Sequence, residues 1–141
     1  MGIIKTSVLA GAFLALAACS SMGGSGGGNT VRVSLSGAQE VPPVSTQASG
    51  SGSFTVAQDG AVSGSITTSG LNGVAAHIHQ GARGQNGPVI VPLTKTGDGW
   101  TTPPGAKLNE AQMSAFKAGN LYVNVHSPQN KGGEIRAQLN P

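Results

Sequence analysis

Charge, aromatic rings and sulfur are scarce in this chain. Of its 141 residues, eight are Lys or Arg and five are Asp or Glu; one Trp, one Tyr and three Phe complete the aromatic set. The basic residues form no run and do not interleave with aromatics, so nucleic-acid binding is not expected. A single cysteine, Cys19, rules out an intrachain disulfide. No apolar run approaches the roughly 20 residues that a spanning helix needs. Also missing are a Ser/His/Asp set with a nucleophile elbow, paired carboxylates and a phosphate loop with its lysine. An enzyme is therefore not expected.

What the chain does hold is glycine, 23 of them, and eight prolines. Some of the glycine lies in one stretch near the N-terminus. Much of the rest punctuates short apolar runs, which favours one turn-rich all-β domain.

The N-terminus reads as an address. Lys5 precedes an apolar run from Val8 to Ala18, the n-region and h-region of a secretory signal over residues 1–18. Leu16-Ala17-Ala18-Cys19 closes it. This resembles the lipobox of bacterial lipoproteins. The resemblance implies cleavage before Cys19, lipidation of that residue and retention on a membrane of the cell envelope. Ser20, in the position where Asp is associated with inner-membrane retention, implies outer-membrane sorting, with the protein facing the periplasm or the surface. Several acyl chains on one cysteine anchor far more firmly than a single chain does. Residues 19–29 then form a Gly/Ser tether, leaving 30–141 as the folded domain.

Val31 to Ser36 alternates apolar and polar side chains, the period of a half-buried strand. Gly37 to Pro43 breaks it, and Glu40 within that loop reads as a solvated carboxylate. Gly52–Ala57 and Ala61–Thr68 are strands joined at Asp59-Gly60, a good hairpin turn. Val74–Gln80 is another strand, and Pro88–Leu93 is an edge or bulged one because prolines flank it. Trp100 is expected to cover one end of the core. Asn109–Gly119 is the one convincing helix, with Asn109 as N-cap and Gln112 completing a capping box. Asn120–Ser127 and Gly133–Leu139 are the last two strands. Short strands at regular spacing with glycine turns point to an antiparallel sandwich or barrel with one short helix.

The three histidines are the most informative polar groups. His77 and His79 are two residues apart on one strand, hence on one side of it. Leu121, Val123 and Val125 must face the core, which puts Tyr122, Asn124 and His126 on the outer face. Parity across the final hairpin pairs Tyr122 with Gln138, Asn124 with Arg136 and His126 with Glu134. All three imidazoles are thus expected on outer faces of the sheet. Three imidazoles suit zinc or copper. Glu134 is a possible fourth ligand, or an acceptor for an imidazole N–H outside the ligand set. The competing expectation is a structural or adhesive surface module whose histidines only hydrogen-bond to loops.

Leu35 to Pro43 (L-S-G-A-Q-E-V-P-P), Ala76-His77-Ile78-His79-x-Gly81, Gly87 to Ile90, Leu121 to Ser127 and Gly133 to Leu139 together resemble a CHRD domain. That family takes its name from chordin and also occurs as single-domain exported bacterial proteins. The resemblance spans nearly all of residues 30–141 and implies an immunoglobulin-like or Greek-key β-fold, with little said about activity. The His77-Ile78-His79 strand is also similar to the copper strand of Cu/Zn superoxide dismutase. The chain lacks the disulfide cysteines of that protein and most of the further histidines and the aspartate that build its two-metal site. The similarity therefore implies one copper ion and no dismutase activity. The resulting expectation is an envelope-anchored lipoprotein that binds a single metal ion, copper before zinc, through His77, His79 and His126.

Overall fold

The computed structural model describes residue 2 and residues 27–141, so the signal, Cys19 and most of the tether lie outside the described residues. The domain has nine strands and one α-helix: β1 (Asn29–Ser36), β2 (Ser49–Val56), β3 (Val62–Ser69), β4 (Ala75–Gln80), β5 (Val89–Pro92), β6 (Thr94–Thr96), β7 (Gly99–Thr101), α1 (Glu110–Lys117), β8 (Leu121–His126) and β9 (Ile135–Leu139). They form one antiparallel sheet in the order β5-β4-β8-β9-β1-β2-β3-β7-β6. β5 and β6 stand at opposite ends of that order yet flank Leu93 in one continuous segment. The sheet therefore curls on itself into a nearly closed barrel. Its ends are stitched where the Leu93 N–H donates to the Ala76 carbonyl at 2.9 Å. Near-closure leaves little bare sheet edge for other chains to pair with.

The alternating apolar residues point inward as expected. Val31, Val33 and Leu35 of β1 meet Phe54, Ile66, Ile78, Val123, Val125, Ile135 and Leu139 in one core. Trp100 is buried in it too, with the Lys95 ammonium 5.6 Å from its ring centroid. α1 carries the capping box: Gln112 N–H donates to Asn109 Oδ1 at 2.8 Å and the Asn109 N–H to Gln112 Oε1 at 2.9 Å. Phe116 ties this two-turn helix into the core, which supplies the stability so short a helix lacks alone. Three-residue β6 escapes the sequence pattern because Thr94-Lys95-Thr96 is exposed throughout.

The outer side of β4, β8 and β9 departs from expectation. Loops cover it, so Tyr122, Asn124, Arg136 and Gln138 are buried even though they point away from the core. Arg136 holds the loop after β4 in place. Its Nη2 donates to the Ala82 carbonyl at 3.2 Å and the Gln85 carbonyl at 2.8 Å, and its Nη1 to Asn86 Oδ1 at 3.3 Å. Gln138 Nε2 donates to the carbonyls of Gly81 and Gly119, both at 2.8 Å. Glu40 is likewise not a solvated carboxylate: the loop between β1 and β2 folds over this face and leaves it 4% exposed. The domain thus has a dry apolar core on one side of the sheet and a buried polar layer on the other.

Candidate metal centre

β4 and β8 are neighbours in direct register, and this is what gathers the histidines. Ala75 lies opposite His126, His77 opposite Asn124, and His79 opposite Tyr122. Odd-numbered β4 residues and even-numbered β8 residues share the outer face, so His77, His79 and His126 meet there. One nitrogen from each lies within 4.8 Å of the others. His79 is 7% exposed, while the other two are half-buried. β5 shifts register between Ile78 and His79, a bulge beside the cluster of the kind that commonly re-aims side chains near sites.

The hydrogen bonds decide which nitrogens are free. His126 Nδ1 lies 2.9 Å from the Lys131 carbonyl and His79 Nδ1 lies 2.9 Å from the Gly87 carbonyl. A carbonyl only accepts, so both Nδ1 atoms carry the proton and both Nε2 atoms present lone pairs. His77 Nδ1 stands 3.1 Å from His126 Nε2, so the His77 Nδ1–H donates to it. His79 Nε2 is buried and has no hydrogen-bond partner. A buried imidazole lone pair left unpaired is costly unless a cation takes it up.

Ring stacking adds further support. The His79 and Tyr122 rings are parallel to within 3°, with centroids 4.7 Å apart, and the Arg136 guanidinium carbon lies 3.4 Å from the Tyr122 centroid. The Gly87 N–H donates to the Tyr122 hydroxyl at 3.1 Å. Tyr122 therefore holds both the ring of His79 and the loop residue whose carbonyl orients that ring.

Burial favours the neutral form of His77 and His79. Burial lowers the His77 pKa, helped by His126 and His79 nearby. Burial also lowers that of His79, with the Gly87 hydrogen bond opposing. Deprotonated imidazoles are the form that binds metal. A tetrahedral ion with bonds of about 2.0–2.1 Å places its nitrogens about 3.3 Å apart. The 3.1 Å between His77 Nδ1 and His126 Nε2 is close to that, and one nitrogen of His79 lies within 4.8 Å of the other two rings' ligand atoms.

Glu134 is placed differently from the imidazoles. Its carboxylate Oε1 accepts from the Thr46 hydroxyl at 2.7 Å, and bonds from Ser127, with Thr46 and Asn130 adding to it, hold its pKa below the usual range. It is not among the groups clustered at ligand distance. The acceptors that orient the imidazoles are backbone carbonyls, those of Lys131 and Gly87, and not this carboxylate. Sequence reasoning passed over Asn124, which lies in the middle of the cluster. The signal was present: Asn124-Val125-His126 repeats the spacing of His77-Ile78-His79 on the facing strand.

The family model for the CHRD domain matches residues 31–139. The chain belongs to the CHRD domain family. Neither the curated proteins nor the solved structures hold a match to it. The CHRD match takes in every strand from Val31 onward and all three histidines, so the candidate centre is built wholly on the domain's own sheet.

Proposed function

We propose that this protein is an envelope-anchored bacterial lipoprotein whose CHRD domain binds one transition-metal ion, copper in preference to zinc, through His77, His79 and His126. The observation that carries the reading is the buried, unpartnered Nε2 of His79 set beside two further imidazoles. Nitrogen donors of this kind suit copper and zinc over magnesium or calcium. Copper supplies the capacity to be held, sensed or passed on, and no enzyme activity is assigned. The protein's own residues orient the rings through the Gly87 and Lys131 carbonyls and keep His79 dry beneath Tyr122.

The anchor is proposed on the sequence: Lys5, the Val8–Ala18 run and the box ending at Cys19 support lipidation there. Ser20 supports the outer membrane, and the tether lets the domain reach a few nanometres from the lipid surface. The test is metal analysis of untagged protein isolated from its native envelope. One equivalent of copper supports the proposal. Protein free of copper and zinc, which also takes up neither when supplied, sinks it.

A further inference from the structure

Three side-chain atoms among the described residues are buried without a hydrogen-bond partner: His79 Nε2, Asn124 Oδ1 and Glu40 Oε1. A metal held by the histidines accounts for the first only. Asn124 sits directly opposite His77 and two residues before His126, so the outer face at this point is a patch of four side chains, three imidazoles and one amide. The amide is 2% exposed, on the strand facing the one that carries His77 and His79.

Its orientation is fixed from the other side. Asn124 Nδ2 donates to the Gly132 carbonyl at 3.4 Å, and the same amide group lies alongside the Glu40 carboxyl. Gly133, at φ +125°, leaves the space for this: a Cβ there would collide with Glu40 Oε1 and Asn124 Nδ2. With Nδ2 held on that side, Oδ1 is left toward the histidines. His79 Nε2 also presents a lone pair, because its Nδ1 proton is committed to the Gly87 carbonyl. Two buried acceptors that face one another repel unless a cation lies between them.

We infer that Asn124 Oδ1 is the fourth protein donor of the centre, giving three imidazole nitrogens and one amide oxygen, with Glu40 and Gly132 acting as positioning groups behind the amide. The inference rests on the three-histidine reading and extends it. An amide oxygen is a neutral donor, so the set adds no negative charge to the ion. Glu40, beside the Nδ2 group, serves only to hold the amide in the orientation that leaves Oδ1 toward the histidines. A three-nitrogen, one-oxygen set is suited to the tetragonal preference of Cu(II).

The experiment is Cu(II) binding, by competition with a chelator and by EPR, on wild-type protein, Asn124→Leu and Asn124→Asp. The leucine variant keeps the volume and removes the donor. Its Kd for Cu(II) is expected to rise by about tenfold or more, with an EPR spectrum changed from wild type. The aspartate variant keeps an oxygen and adds a charge, so it is expected to bind at least as tightly with a shifted spectrum. Wild-type affinity and spectrum in Asn124→Leu overturn the inference while leaving the three-histidine centre standing. If Asn124→Leu does not fold, Asn124→Asp decides: an unshifted spectrum overturns the inference. Failure of wild-type protein to bind Cu(II) takes down the three-histidine reading, and the inference with it.

Discussion

His77 Nδ1 and His126 Nε2 stand 3.1 Å apart across the β4–β8 ladder, joined by a single proton. That proton belongs to His77, because His126 spends its own on the Lys131 carbonyl. Metal and proton therefore compete for one position. An ion bound by His77 Nδ1 requires that ring to carry its proton on Nε2 instead. Nitrogen-15 NMR of metal-free protein is expected to show His77 as the Nδ1–H tautomer, and zinc, which is diamagnetic, is expected to convert it to Nε2–H. A metal-free His77 already protonated on Nε2 would contradict the hydrogen-bond assignment.

Tyr122 serves the site through its ring and its hydroxyl, and two variants separate the roles. Tyr122→Phe keeps the stack on His79 and leaves the Gly87 N–H unpaired, a loss of about 1–2 kcal/mol. Tyr122→Leu loses both and is expected to cost about 3 kcal/mol. The leucine variant should weaken metal binding by about tenfold, and more than the phenylalanine variant, which disturbs His79 only through the Gly87 carbonyl. Urea unfolding and Cu(II) competition measure the two effects; equal metal affinities in both variants would show that the stack does not hold His79 for the ion.

Glu40 makes a pH prediction for the metal-free protein. Burial pushes its pKa from 4.5 to about 7, with Asn124, Arg136 and the Val41 backbone pulling it down. The folded protein keeps a proton that the unfolded chain releases across that interval. Stability therefore falls as pH rises from about 4.5 to about 7, by about 3 kcal/mol, and levels off above. His77 and His79 act in the opposite sense: their folded pKa values lie below 6.5, so they cost stability as pH drops below that value. Comparing wild type with Glu40→Gln cancels the histidine contribution. Chemical denaturation at pH 5 and pH 8 should show the glutamine variant gaining on wild type as pH rises, and a pH-independent difference would place Glu40 in water.

Cys19→Ser tests the anchor. Wild-type protein is expected to incorporate labelled palmitate and to fractionate with membranes. The serine variant is expected to incorporate none. Labelling of the variant, or its absence from wild type, contradicts lipidation at this residue.

Much of the barrel was legible because strand parity is a local signal. Leu121, Val123 and Val125 alternate with Tyr122, Asn124 and His126, and the observed pairs Tyr122–Gln138 and Asn124–Arg136 follow from that alternation and one hairpin. Parity says which way a side chain points, not what lies above it. The loop over His79 is held by Arg136, whose partners Ala82 and Gln85 are more than 50 residues away in the chain, so no local pattern announces that the outer face is buried. The same blindness misplaced Glu40, whose cover comes from folding the β1–β2 loop across the sheet. An outward row of Tyr, Asn, Arg and Gln in a chain so poor in charge was the available hint.

The central claim, that three imidazoles from β4 and β8 bind one ion, is tested most directly by adding one equivalent of Cu(II) to purified domain and recording EPR. The account predicts a single nitrogen-coupled copper signal that saturates at one equivalent and is lost in the His77→Ala/His79→Ala/His126→Ala variant. An aqueous copper spectrum in the wild type, or an unchanged nitrogen-coupled signal in the triple variant, would contradict it.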